Sequence, residues 1–228
     1  VNFSDMDVLA VGPAAVEVGN QFDLYWNSAL SYPASSLAGS AGDLDELRTD
    51  LAAYTDEHRD SPYAERLRDS ALVREIEGGG LDFQWAQALV YFDRPEKLTT
   101  DAEDRSTHMG PKVRPIMLGK LDREILIFSP YFVPGDEGVE QLTDLVKKGV
   151  KVQVVTNSLA STDVGVVHSG YAKYRKPLLR GGVELYEIKP DAYKTDKRRR
   201  LGLLGSSGAS LHAKTFVMYR DALFIGSP

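Results

Sequence analysis

EILIFSPYFVPGDEGVEQLTDLVKKGVKVQVVTN, residues 124–157, sets the fold class. Glu124 to Ser129 is a short apolar run of strand length, and Lys151 to Thr156 is a second one. Between them, Asp136 to Lys148 reads as a helix, with acids in its first turn and lysines in its last, which complements the helix dipole. Gly149 stops it. Strand, helix and strand in this order predict a parallel pair, because parallel neighbours need a crossover connection.

The pattern continues downstream. Val164 to Arg180 predicts a helix, Gly181-Gly182 a stop, and Val183 to Ile188 a third strand. Lys189 to Gly208 reads as a loop carrying Lys194, Lys197, Arg198, Arg199 and Arg200. It delivers the chain to Ser210–Ser227, where Thr215 to Tyr219 and Ala222 to Ile225 are apolar runs on either side of Arg220-Asp221. That predicts a hairpin with its turn at those two residues. Side chains alternate faces along a strand, so His212 and Lys214 point the same way. An imidazole beside an ammonium suits a phosphate: the lysine supplies fixed charge, the histidine a nucleophile or a proton. Gly226-Ser227 adds a hydroxyl near the same edge.

Upstream, Asp7 to Gly12 predicts a short strand and Gly12-Pro13 opens a helix that runs to about Ser28. Tyr32 to Gly42 is a loop by composition. Asp43 to Arg59 and Pro62 to Glu77 predict two charge-rich helices whose Asp, Glu and Arg residues form a solvated face. Gly78-Gly-Gly ends that block, Phe83 to Phe92 reads as a strand, and Val113 to Leu121 has helical spacing. His58 and His108 stand in polar surroundings and receive no role.

Composition narrows the function classes. The 228 residues are 43% hydrophobic and 26% charged, ordinary values for a globular protein, and the net charge of −6 argues against a general nucleic-acid binder. With no cysteine, disulfides, thiolate metal sites and a cysteine nucleophile are excluded. No apolar run approaches the 18 residues or so that a spanning helix needs. The chain opens on Val1 and closes on Pro228, directly after Gly-Ser, so it reads as an internal slice of a longer protein.

In open α/β sheets, ligands gather beyond the carboxyl ends of the parallel strands. Those ends are Ser129-Pro-Tyr-Phe-Val-Pro and Thr156-Asn-Ser-Leu-Ala-Ser-Thr-Asp, rich in hydroxyl and amide groups able to bond phosphate oxygens or a headgroup. Tyr131, Asn157, His168 and Ser227 are the phosphate- or headgroup-binding candidates beside His212 and Lys214.

His212-x-Lys214 followed by two apolar strands and Gly226-Ser227 resembles the HKD signature of the phospholipase D superfamily. Ser129-Pro-Tyr-Phe-Val-Pro-Gly, Asn157-Ser-Leu-Ala-Ser-Thr-Asp-Val, His168-Ser-Gly-Tyr and Gly182-Val-Glu-Leu-Tyr-Glu look like the second half of bacterial cardiolipin synthases. Asp5-Met-Asp-Val-Leu-Ala-Val-Gly-Pro and Phe22-Asp-Leu-Tyr-Trp-Asn are similar to the segment after the first HKD motif there. The likeness covers nearly the whole chain.

The resemblance implies a phospholipase D-like α/β fold, two similar halves with mixed sheets flanked by helices, both incomplete here. Residues 1–110 would be the remainder of the first half, its motif missing upstream. Residues 111–228 would be the second half up to its motif. It also implies a phosphatidyltransferase acting through a phosphohistidine, with a phospholipid of the phosphatidylglycerol type as substrate. His212 would be the general acid and then the base, Lys214 would hold phosphoryl oxygens, and neither metal nor cofactor is needed. The alternatives are a phospholipase D or nuclease-type phosphodiesterase, or a non-catalytic phosphate- or lipid-binding relic. The implied site is peripheral, on the cytoplasmic side of a bacterial inner membrane, with nucleic acid not expected. The basic residues from Lys194 to Arg200 would attract anionic headgroups, about 1 kcal/mol for each charge near such a surface. The family's motif acid falls at Tyr219, and Asp221 or Glu184 are the candidate substitutes. With half the site absent, the isolated chain is expected to be inactive.

Overall fold

The computed structural model describes residues 2–37, 42–101, 103–119, 121–189 and 209–226. They form two compact units, one from residues 12–90 and the other joining 1–11 to 91–228. The first residues of the chain join the carboxyl-terminal unit through strand pairing.

Within residues 12–90, the described residues are helical wherever they are regular. Helix α1 (Pro13–Trp26) starts on a proline, whose missing N–H is no loss in a first turn. After the short α2 (Ala34–Leu37), helix α3 (Leu44–His58) is capped by Asp43, which accepts from the Asp45 and Glu46 amides. The helix expected over Pro62–Glu77 is two helices, α4 (Pro62–Arg68) and α5 (Ala71–Glu77). Ser70 divides them: its backbone is extended and its hydroxyl accepts from the Val73 amide, which restarts the helix. Phe83–Phe92 contains no strand. An apolar run becomes a strand only where another strand takes up its backbone groups, and this one has no such neighbour among the described residues.

The second unit is built on a five-stranded sheet. After a turn of 3₁₀-helix at Pro95–Leu98 come α6 (Gly110–Gly119), β2 (Glu124–Phe128), α7 (Gly135–Lys147) and β3 (Lys151–Asn157). Then follow α8 (Gly165–Ala172), α9 (Arg175–Arg180), β4 (Glu184–Ile188), β6 (Thr215–Met218) and β7 (Ala222–Ile225). The order across the sheet is β4-β3-β2-β6-β7. β2, β3 and β4 are parallel, β6 is antiparallel to β2, and β7 to β6. The sheet is mixed and flanked by helices, an α/β architecture. Ile125, Ile127, Val152 and Val154 from the central strands bury with Leu178 of α9, Val183 and Met218 to make the core. Alternate residues of the central strands fill it, as a sheet with a covered face requires.

Three details correct the sequence reading. The helix expected over Val164–Arg180 breaks between α8 and α9, since Pro177 has no N–H to give and its ring excludes the carbonyl four residues back. The hairpin turn is Tyr219-Arg220, not Arg220-Asp221: both have positive φ, 49° and 59°, and the Asp221 amide closes onto the Met218 carbonyl at 3.0 Å. Two consecutive positive φ values define the turn type that matches the twist of a hairpin. The amino-terminal strand is β1 (Asn2–Ser4), not Asp7–Gly12, and it pairs in parallel with β5 (Ala209–Leu211). That ladder ends at Ser4, whose carbonyl receives both the His212 and Ala213 amides.

Gly182 shows how closely the helices pack. Its φ is +86°, and a Cβ there would lie 2.9 Å from Cγ1 of Val146 on α7. A side chain is excluded on both counts.

Candidate functional site

The site is assembled around Asn157, the last residue of β3. Its side-chain amide donates to the Leu211 carbonyl at 3.0 Å, and its Oδ1 accepts from the Leu211 amide at 2.8 Å. The side chain thus stands in for a strand edge, and both residues are buried, at 3% and 4% exposure. Ser161 also donates to Oδ1, at 3.4 Å. Asn157, a headgroup candidate by sequence, spends its amide fixing β5 at the carboxyl end of β3. Asn157→Ala would leave the buried Leu211 amide unpaired, at about 1–3 kcal/mol, and its carbonyl with only the long bond from the Ser210 hydroxyl, at 3.4 Å. An overall loss of about 3 kcal/mol in urea unfolding is expected, and a loss under about 1 kcal/mol would mean that water or another group replaces the amide.

Fixing Leu211 fixes His212. Its Nδ1 lies 2.6 Å from Oδ2 of Asp5, the residue just past β1. The bond to His212, chiefly, holds the Asp5 carboxyl below its ordinary value, with the Met6 amide and the charge of Lys214 adding to it and partial desolvation opposing. Asp5 is therefore a carboxylate that only accepts, so Nδ1 donates to it and Nε2 is turned away from Asp5, toward Lys214. Lys214 Nζ stands 3.4 Å from that Nε2 and donates to the His212 carbonyl at 3.0 Å. Phe3 flanks the imidazole, ring centres 5.4 Å apart, and the Tyr131 ring lies 5.8 Å from the ammonium.

Register places this cluster at the expected end of the sheet. Thr215, next to Lys214, pairs with Phe128 at the carboxyl end of β2. The Gly226 amide donates to the Lys214 carbonyl, so the end of β7 arrives at the same point. Ser227 lies outside the described residues, as do Lys194 to Arg200.

Tyr131 donates its hydroxyl to Asp163 at 3.0 Å, and desolvation followed by the bond and charge of Asp163 raises its pKa, keeping it a neutral phenol. His168 is 7% exposed, set edge-on to Tyr171, with a buried Nδ1 that bonds to nothing among the described residues. The structure brings Lys214 to His212 and Tyr131 to Lys214. It gives His168 no polar contact with any of them.

The acid that holds His212 is Asp5, and the two candidates for the motif acid stand elsewhere. Asp221 is exposed at the far end of the hairpin, and Glu184, at the start of β4, is occupied by Gln153, Tyr186 and Lys151. Tyr219 is five residues from Lys214, about 16 Å along an extended strand. Its hydroxyl bonds to Arg123, whose guanidinium lies 4.4 Å over the ring. Position 219 therefore serves the turn, and a tyrosine there takes nothing from His212. Asp5 escaped the sequence reading because it stands 207 residues away. The only signal was its place in a stretch already singled out for another reason.

Among the described residues no three His, Asp or Glu side chains gather as metal ligands do, and no helix is long and apolar enough to cross a membrane.

The family described as cardiolipin synthase, phospholipase D-like domain, matches residues 116–228, from α6 through the His212–Lys214 hairpin. Cardiolipin synthase C of Escherichia coli (strain K12) is 39% identical over 229 residues, covering 99% of this chain and 47% of that protein. The chain belongs to the phospholipase D superfamily. Within it, the likeness is to the cardiolipin synthase type. An uncharacterised protein of Helicobacter pylori (strain ATCC 700392 / 26695) is 26% identical over 238 residues, covering 99% of this chain and 44% of its own length. The chain spans less than half the length of the relatives it matches. The His-x-Lys of this chain precedes the hairpin, and the structure sets it where β5, β6 and the carboxyl ends of β2 and β3 converge.

Proposed function

We propose that this chain contributes the His212–Lys214 half-site of a phosphatidyltransferase of the cardiolipin synthase type. Such an enzyme moves a phosphatidyl group onto a phospholipid headgroup alcohol through a phosphohistidine. The observation that carries this reading is the Asp5–His212–Lys214 chain of contacts, which leaves Nε2 of His212 beside a fixed positive charge.

In the first step a partner histidine attacks phosphorus, and His212, protonated at Nε2, gives that proton to the departing alkoxide as the P–O bond breaks. Asp5 stabilises the imidazolium meanwhile. In the second step Nε2 takes the proton of the acceptor hydroxyl as that oxygen attacks, and the P–N bond of the phosphohistidine breaks. Lys214 stabilises charge on the phosphoryl oxygens throughout. The sequence holds a single His-x-Lys, so both steps need a second histidine from elsewhere. The 228 residues alone are then expected to show no transfer unless two copies complete a site.

The substrate would lie in a bacterial membrane, with the protein peripheral on the cytoplasmic side of the inner membrane and Lys194 to Arg200 attracted to anionic headgroups. The alternative of a non-catalytic phosphate- or lipid-binding relic still rests on Tyr219, because Asp5 serves His212 while the motif acid would serve the histidine of the opposite half. The test is the protein carrying this chain, assayed on phosphatidylglycerol vesicles for the ratio of phosphatidyl transfer to water capture. Predominant transfer supports the reading. Release of phosphatidic acid alone would make it a hydrolase, and no turnover of lipid with cleavage of a phosphodiester nucleotide would overturn the lipid assignment.

A further inference from the structure

Lys214 is positioned by more than its own strand. Its ammonium has three donors, of which one reaches the His212 carbonyl and another the Nε2 of the same ring. The ammonium also lies over the face of Tyr131, 5.8 Å from the ring centre, within the range where a cation gains from an aromatic quadrupole.

Tyr131 cannot drift. Its loop follows β2 directly, and Pro130 before it is buried. The hydroxyl is tied to Asp163, whose own loop is closed by Thr162, bonded to the Val164 amide at 3.2 Å. Phe132 sets its ring against Tyr171, which is 2% exposed, and the Val133 methyls approach Gly170 so closely that a Cβ there would lie 3.4 Å from them. Three successive residues of one loop are thus pinned to α8 and the turn before it. The middle of the loop presents nothing to solvent that the fold has not already placed.

We propose that Tyr131, braced by Asp163, is a positioning residue for Lys214: its ring holds the ammonium at the height where a phosphoryl oxygen meets Nε2 of His212. A lysine ammonium on a four-carbon stem otherwise samples several rotamers, and a charge worth using in a transition state must be placed beforehand. The ring restricts the ammonium without competing for the phosphate, as a carboxylate in its place would. Asp163 is kept one ring away, so its charge orients the phenol and does not neutralise the lysine. The inference rests on Lys214 as the phosphate-holding cation, whatever alcohol or water accepts the group.

The experiment is a titration of the purified protein with inorganic phosphate, read calorimetrically, beside steady-state kinetics. Tyr131→Leu is expected to weaken phosphate roughly fivefold to tenfold, and to lower kcat about tenfold with KM changed less than threefold. Tyr131→Phe, which keeps the ring, should retain binding within about threefold. Asp163→Ala, which removes the same hydrogen bond as Tyr131→Phe from an exposed position, should match it. In a Lys214→Met background, Tyr131→Leu should add nothing, because the two act through one charge. Lys214-dependent phosphate affinity that survives Tyr131→Leu unchanged overturns the positioning role alone. Phosphate affinity that Lys214→Met leaves untouched overturns the reading of Lys214, and the role of Tyr131 with it.

Discussion

His212→Gln is expected to lower phosphatidyl transfer about 10⁴-fold, at the upper end of what a positioned acid–base group contributes. Glutamine has nearly the reach of histidine, and its amide can donate to the Asp5 carboxylate as Nδ1 does. The β1–β5 ladder and the Asn157–Leu211 pair involve only backbone groups of the neighbouring residues, so the fold does not depend on the imidazole. What glutamine cannot do is carry a proton between a departing and an arriving oxygen. Substrate binding through Lys214 should persist, which puts the loss in kcat with KM changed little. Melting temperature should stay within a few degrees of the parent. A loss below about tenfold would assign the proton transfers to another group. A large loss accompanied by collapse of the melting temperature would mean that the ring is structural.

The core of the fold was legible because its signals are redundant. β2, β3 and α7 show length, periodicity, charge placement and a glycine stop that all agree, and burial of alternate residues on the central strands makes the apolar runs unambiguous. The hairpin was legible for the same reason, while its turn was misplaced by one residue. Tyr219 is apolar enough to read as strand, and nothing in a tyrosine announces a φ of 49°. β5 was not legible: three residues long, it is fixed by the side chain of Asn157 and by β1, two partners that pattern alone cannot name. Phe83–Phe92 misled in the opposite sense, since an apolar aromatic run says nothing of whether another strand lies beside it.

The site divides along the same line. His212 and Lys214 stand two residues apart, so local geometry was enough to bring them together. Asp5, Tyr131 and Asn157 reach them through tertiary contacts. Sequence could mark Tyr131 and Asn157 as polar groups at strand ends, where ligands collect, without revealing that one faces a lysine and the other clamps a backbone. The Asp5 contact is the longest-range of these and bears most directly on the chemistry.

Asp5→Asn is accordingly expected to lower transfer about 10³-fold while leaving the protein folded. An ionised carboxylate only accepts, which keeps a proton of His212 on Nδ1 and leaves Nε2 to give and take the proton of the two alcohols. An asparagine amide can turn and donate to Nδ1 instead, placing the proton on Nε2 and reversing the tautomer. It also removes the negative charge that steadies the imidazolium between the two steps. Asp5→Glu keeps charge and acceptor and should recover activity to within about tenfold of the parent, a rescue that a merely structural contact would not show. The pH dependence carries a sign that separates the two roles. The bond to His212 lowers the Asp5 carboxyl, so the stability it lends to the β1–β5 edge is fully present above the ordinary carboxyl range and disappears only as pH falls through the lowered value. Asp5 stays charged from about pH 5 to 8, and a change in rate across that window belongs to another group. Side-chain exposures of 42% for His212 and 39% for Asp5 keep the stability contribution small, so melting curves of parent and Asp5→Asn should nearly coincide at neutral pH. They should converge fully only below the lowered value of the Asp5 carboxyl. A full-strength Asp5→Asn enzyme, or one whose deficit tracks unfolding, would show that His212 finds its tautomer without this carboxylate.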